Sequence, residues 1–168
     1  MIRPLLACLA LAGVVAPASA DAPLEPAPAV TCSANGRACA TRDRDGHAVT
    51  VWRRGRGGAR VGAWRTPIAS PRVVVADDGR SLVELYPGLN LLNLDATGDT
   101  IVLVFHRPDA RPVPVTLRAV APDVARLPRT VSHRQWARAY GYDGPGSFLL
   151  LTPDGRSLRF DPATGRAR

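Results

Sequence analysis

The chain has 168 residues and a net charge of +8, and all 22 of its basic residues are arginine. This length fits one domain of ordinary size. No apolar stretch beyond the first 20 residues approaches the length needed to cross a bilayer, so we expect no integral membrane segment in that part of the chain. The lack of lysine, together with many Ala, Gly and Pro residues, is typical of a GC-rich genome, so the charge alone does not indicate a basic function.

Residues 1–20 have the pattern of a cleavable signal peptide. A short positive start at residues 1–3 precedes an apolar run over residues 5–15, and residues 18–20 (Ala-Ser-Ala) are the small residues that signal peptidase recognises. We expect cleavage after Ala20 and a periplasmic or secreted location, with a short membrane anchor as the alternative. Cys8 lies inside the apolar run, where lipoprotein processing would leave an apolar region of only about four residues, so we expect it to be removed.

Residues 21–30 are rich in proline and alanine and predict an extended tether. Residues 31–168 are expected to form a single β-rich domain that opens with a hairpin. Asn35-Gly36 favours a two-residue type I′ turn in which both residues have positive φ. That register places Cys32 opposite Cys39, close enough for a disulfide, which an oxidising compartment would form.

Asp-Gly turns beside short apolar runs recur along the rest of the domain. They predict hairpins at residues 45–46, 78–79 and 154–155. Residues 100–106 are β-branched and aromatic and predict a central strand. Pro112 and Pro114 push the strand predicted at residues 113–117 toward a sheet edge.

Helical pattern is scarce. One short turn is predicted at residues 122–126, and a second helix from Ser132 to Tyr140 with Ser132 as its N-cap. The fold class is therefore all-β and mostly antiparallel: a β-meander, a sandwich, or a propeller-like partial sheet of hairpins with one or two short helices. A propeller blade takes about 40–45 residues, and a closed ring needs at least about four blades. The domain has room for roughly three blades, so we do not expect a closed monomeric propeller.

No common catalytic signature occurs. The sequence has no nucleophile elbow, phosphate-binding loop, dinucleotide fingerprint or zinc-protease motif. The histidines at positions 47, 106 and 133 lack metal-ligand spacing. We therefore expect no metal and no cofactor, and we assign no catalytic residue.

Residues 127–136 gather Arg, Thr, Ser, His and Trp on a connection between β elements, where functional groups concentrate. One interpretation makes Arg129, His133 and Trp136 a binding surface for a ligand or partner. The other makes Trp136 a buried plug over the sheet, with His133 and Arg129 bonded to backbone carbonyls. The sequence leaves both interpretations open.

The segment from Arg53 to Arg60 holds four arginines that could meet a polyanion such as lipopolysaccharide, anionic lipid or nucleic acid. A solvated basic loop is the alternative interpretation. Aromatic residues do not alternate with these arginines, so nucleic acid is not the expected ligand.

Several landmarks resemble a family of uncharacterised exported bacterial β-rich proteins. They are residues 76–79, residues 88–92 (GLNLL), residues 127–133 (LPRTVSH) with Trp136, and residues 160–165. The similarity covers about residues 60–166. The resemblance implies an exported β-rich domain and no assigned activity.

Together these features predict a non-enzymatic binding or structural module of the bacterial envelope, whose partner is an envelope protein or a polyanionic ligand. Two alternatives remain. One is a hydrolase centred on His133, and the other is a polyanion-binding module that uses the Arg53–Arg60 cluster.

Overall fold

The computed structural model describes residues 27–144 and 146–168, so the expected signal peptide and most of the tether lie outside the described residues. Within these ranges the strands pair antiparallel, and the predicted all-β fold of hairpins is confirmed. The strands are Val30–Cys32 (β1), Ala38–Arg42 (β2), Ala48–Arg54 (β3), Arg60–Pro67 (β4), Val73–Val75 (β5), Leu82–Leu85 (β6), Leu91–Asn93 (β7), Ile101–His106 (β8), Val113–Thr116 (β9), His133–Gln135 (β10), Ala139–Tyr142 (β11), Phe148–Leu151 (β12) and Ser157–Phe160 (β13).

The strands form three meander sheets and one small sheet. The first sheet is β1-β2-β3-β4, the second is β5-β6-β8-β9, and the third is β11-β12-β13. β7 leaves the second meander and pairs with β10. β8 is a central strand and β9 an edge strand, as predicted. The meanders meet around β5, because β5 contacts both β1 and β11.

The first hairpin closes through a different turn from the one predicted. The Gly36 N–H donates to the Ser33 carbonyl at 2.9 Å. Gly36 has a φ of 68°, but Asn35 does not have the positive φ that the predicted type I′ turn requires of it. The type I′ prediction is therefore wrong: Ala34 and Asn35 form a type I turn, and Gly36 takes the left-handed position after it. The same N–H bond and positive φ recur at Gly46, Gly79 and Gly155.

The register predicted for the cysteines is nevertheless confirmed. The Ser33 N–H donates to the Ala38 carbonyl at 2.8 Å, so the turn keeps the predicted offset between the strands. Cys32 faces Cys39, with a sulfur–sulfur distance of 2.05 Å and a Cα–Cα distance of 3.9 Å.

Two buried clusters hold the sheets together. The larger one joins the second and third sheets and contains Phe105, Phe148 and Phe160. The rings of Phe105 and Phe148 meet edge to face, with centroids 5.6 Å apart. The smaller cluster lies between the first and second sheets and contains Val51 and Leu82.

One 3-10 turn, Arg56–Gly58, connects β3 to β4, and the other helical residues described lie in the connection from β9 to β10. A single turn, α1 (Leu117–Val120), was not predicted. A 3-10 turn at Val124–Arg126 confirms the predicted turn there, and the Asp123 side chain caps it. No helix of the described residues is long and apolar enough to cross a bilayer.

The helix predicted from Ser132 to Tyr140 is wrong, because β10 and β11 occupy this segment. Ser132 does not cap a helix; its Oγ lies 2.8 Å from His133 Nδ1. The local signal was a cap-like residue without a helical apolar period. Pairing of β10 with β7 supplies backbone hydrogen bonds that override so weak a propensity.

Candidate functional site

Trp136 is a buried plug. Its side chain has 0% exposure, and its Nε1–H donates to the Leu89 carbonyl at 2.7 Å. Leu89 has a φ of 57°, an uncommon value for a residue other than glycine. The packing of Trp136 therefore matches the second of the two interpretations of this segment.

Arg129 and His133 lie on a short hairpin beside the plug. Arg129 is exposed, and its backbone forms an isolated antiparallel β-bridge with that of Arg134. The backbone N–H of Thr130 donates to the His133 carbonyl at 2.9 Å, and the His133 N–H donates to Thr130 Oγ1 at 3.0 Å. Because Trp136 has no exposed surface, it does not share a face with Arg129. A binding role for Arg129, His133 and Trp136 remains a prediction.

A buried polar chain links the first and second sheets. Glu84 Oε2 lies 3.1 Å from His106 Nε2, and His106 Nδ1 lies 2.9 Å from Thr66 Oγ1. Glu84 Oε1 accepts hydrogen bonds from the backbone N–H groups of Ala69 and Ser70. The order of hydroxyl, imidazole and carboxylate is that of a nucleophilic triad. All three side chains are buried, so we assign the chain a structural role.

An open groove lies where the first sheet meets the β5–β6 turn. Its volume is about 660 Å³. Four arginines line it, and we call them the groove arginines: Arg37, Arg53, Arg54 and Arg80. Within residues 27–144 and 146–168, none of these four side chains has a hydrogen-bond or ion-pair partner. As far as the described residues show, the groove therefore presents guanidinium donors that no protein group occupies.

Strand pairing and two turns bring these arginines together. Arg54 ends β3, and its N–H donates to the carbonyl of Arg37, just before β2, at 2.8 Å. Arg80 comes from the β5–β6 turn. The Asn35 N–H donates to Asp77 Oδ1 at 3.2 Å, which joins the first hairpin turn to the β5–β6 turn. The groove walls are thus joined by one backbone–backbone and one backbone–side-chain hydrogen bond.

Arg53 is positioned by two glycines. The pairing of β3 with β4 shifts register between Val51 and Arg53, so that Gly62 and Ala63 form a β-bulge in β4. A Cβ atom at Gly62 would lie 2.7 Å from Arg53 Nη2, and one at Gly79 would lie 2.8 Å from Arg53 Cγ. Both glycines have positive φ. At Gly79 a side chain would meet the inflexible base of the Arg53 side chain, whereas at Gly62 it would meet only the movable guanidinium end, and the positive φ favours glycine at both positions.

Two carboxylates also line the groove, but each accepts a backbone hydrogen bond. Asp77 accepts from Asn35, and Asp78 accepts from the Arg80 N–H at 2.9 Å. Four guanidinium groups face two carboxylates. The local potential is therefore positive, and water screens it only in part because the groove is concave.

The predicted Arg53–Arg60 cluster contributes only part of this groove. Arg53 and Arg54 line it. Arg60 instead lies over the Trp52 ring, 4.5 Å from its centroid. Arg56 is exposed in a 3-10 turn and does not line the groove.

Sequence reasoning missed Arg37 and Arg80. Each directly follows the glycine of a hairpin turn, Gly36 and Gly79. An arginine directly after a turn glycine lies at the turn end of its hairpin. That shared position is the signal that could have joined them to Arg53.

Comparison with protein-family models and with curated proteins finds no match to this chain. The resemblance to exported β-rich proteins therefore stays a prediction. In the part of the chain that the structure describes, no group of three or more His, Cys, Asp or Glu side chains could hold a metal ion.

Proposed function

We propose that this chain is a non-enzymatic binding module whose groove arginines hold a polyanionic ligand. The supporting observation is that four guanidinium groups line one cavity and have no partner among the described residues. Clefts lined by one sign of charge concentrate ligands of the other sign. Guanidinium groups donate paired hydrogen bonds to phosphate, sulfate and carboxylate groups.

The test measures binding of a labelled heparin oligosaccharide by fluorescence anisotropy over a range of salt concentrations. Arg53→Gln and Arg80→Gln should each weaken binding. Each should also reduce the slope of log affinity against log salt by about one, because one fewer ionic contact releases its counterions. Both side chains lack partners within the described ranges, so thermal melts should stay close to those of the wild type.

Arg129→Gln is the matched control, because it removes the same charge from an exposed site outside the groove. It should retain wild-type affinity. Equal losses in all three variants would mean that only net charge matters, which contradicts a groove. A loss in Arg129→Gln alone would move the ligand to the hairpin of Arg129 and His133.

The alternative of a hydrolase centred on His133 rests on one contact, the 2.8 Å distance between Ser132 Oγ and His133 Nδ1. A hydroxyl within hydrogen-bond reach of an imidazole is the geometry of an activated nucleophile. Ester hydrolysis that disappears in Ser132→Ala would establish it and displace the binding proposal.

A further inference from the structure

The groove continues past Arg53 and Arg80 into an adjoining cavity of about 520 Å³. Besides those two arginines, the lining of this cavity includes Trp64, Arg65, Pro108 and Asp109. The Arg65 guanidinium group forms an ion pair with Asp43 at 2.9 Å. Its chemistry differs from that of the groove, since it offers an aromatic ring and a carboxylate. A ligand held between Arg53 and Arg80 can reach both cavities.

Trp64 offers this cavity apolar surface rather than a hydrogen-bond donor. The residue is partly buried against the smaller core cluster, and its Nε1–H already donates to the Gly79 carbonyl at 2.8 Å. This bond also fixes the ring against the β5–β6 turn. The exposed part of the ring can pack against the C–H groups on one face of a saturated ligand ring.

Asp109 offers an acceptor and opposes a second anion. It is exposed, with a φ of 55°, and it has no hydrogen-bond or ion-pair partner among the residues described. A carboxylate accepts hydrogen bonds from hydroxyl groups and repels nearby anionic groups. The cavity therefore favours a neutral, hydroxyl-bearing unit beside the anionic one.

We infer, building on the proposed function, that the ligand is an acidic glycan. Its anionic group lies between Arg53 and Arg80, and the neighbouring neutral sugar ring packs on Trp64. A hydroxyl of that ring donates to the Asp109 carboxylate. A polymer charged at every unit can still bind the groove arginines, but with lower affinity, because one of its charges would face Asp109.

The test compares three probes: a hyaluronan oligosaccharide, in which acidic and neutral rings alternate, a short-chain polyphosphate, and single-stranded DNA. Asp109→Asn should weaken hyaluronan binding about tenfold, because the sugar hydroxyl would then donate to a neutral amide oxygen instead of a charged carboxylate. The same variant should strengthen polyphosphate binding, because a repulsive charge is removed. Asparagine tolerates positive φ, so the fold should be retained. Asp45→Asn is the control, because Asp45 lies at an exposed turn outside both cavities. It should not weaken hyaluronan binding while strengthening polyphosphate binding.

The outcomes separate this inference from the proposed function. Suppose that Asp109→Asn strengthens the binding of hyaluronan and of polyphosphate, while Arg53→Gln weakens the binding of each. The groove then binds polyanions, and the glycan assignment is wrong. If DNA binds more tightly than hyaluronan and is weakened by Asp109→Asn, the ligand is a nucleic acid instead. If Arg53→Gln does not weaken the binding of any of the three probes, the proposed function itself is wrong.

Discussion

Replacement of Glu84 tests the buried polar chain between the first two sheets. A carboxylate only accepts hydrogen bonds, so His106 donates from Nε2 to Glu84 Oε2. On the other side of the ring, His106 Nδ1 lies 2.9 Å from Thr66 Oγ1, whose hydroxyl can also donate to the Pro67 carbonyl. Together with the N–H groups of Ala69 and Ser70, Glu84 therefore satisfies three donors. Its own side chain is only 8% exposed.

Two variants separate the loss of the acceptor from the loss of the charge. Glu84→Ala leaves three donors without an acceptor, of which the Ser70 N–H and His106 Nε2–H are buried. It also opens a cavity, so we expect a loss of about 3–5 kcal/mol in the free energy of unfolding. Glu84→Gln keeps the shape. Its amide oxygen can still accept from Ala69 and Ser70, and its NH₂ group can donate to His106 Nε2 once the ring proton moves to Nδ1. We expect a loss of about 1–2 kcal/mol, because only the charge assistance disappears.

Urea unfolding measures both values, and an unchanged denaturant slope would show that the two-state comparison holds. Nitrogen NMR of the labelled ring should show the His106 proton on Nε2 in the wild type and on Nδ1 in Glu84→Gln. If Glu84→Gln lowers the free energy of unfolding as much as Glu84→Ala does, the amide does not replace the carboxylate and the proposed change of tautomer is wrong. If Ala costs less than about 1 kcal/mol, the donors find other partners and the chain does not contribute to stability.

Three further predictions concern the core, the disulfide and high pH. Trp136→Ala should cost about 3–5 kcal/mol and lower the melting temperature by about 10 °C in calorimetry; an unchanged melt would contradict the plug. Reduction of the Cys32–Cys39 bridge should lower the free energy of unfolding by about 2–3 kcal/mol. Urea unfolding with and without reductant measures this difference, and the double serine variant should be insensitive to reductant. Burial raises the pKa of Tyr142, and the charge of Asp78 adds to this. The unfolded chain therefore loses this proton first, so stability should fall as the pH rises above about 10. Tyr142→Phe should remove that part of the pH dependence, and an unaltered pH profile in this variant would refute it.

The strands that could be predicted carry their signal locally. Residues 148–151 are continuously apolar beside a turn and form β12, and residues 101–106 form the central strand β8. β4 was missed because Gly62 and Pro67 interrupt any period, and its strand form depends on pairing with β3. β10 was missed because its partner β7 lies far away in sequence.

The groove shows the same limit for a site. Arg53 and Arg54 were visible as a local cluster, and the structure places both in the groove. Their approach to Arg80 depends on the contact of Asn35 with Asp77, which joins turns from different sheets. Such a contact leaves no spacing pattern in one sequence, whereas the turn glycines beside Arg37 and Arg80 do.

The separation of β7 from its partner sets an order of folding. Within each meander most pairs join neighbours along the chain, so their hairpins close early and their contact order is low. The β7–β10 pair must wait until the long connection after β9 has been placed. Trp136 directly follows β10 and buries its ring through a bond to Leu89, just before β7. We therefore expect the slowest folding phase to be the one that changes the fluorescence of this tryptophan, after the three meanders have acquired their backbone hydrogen bonds.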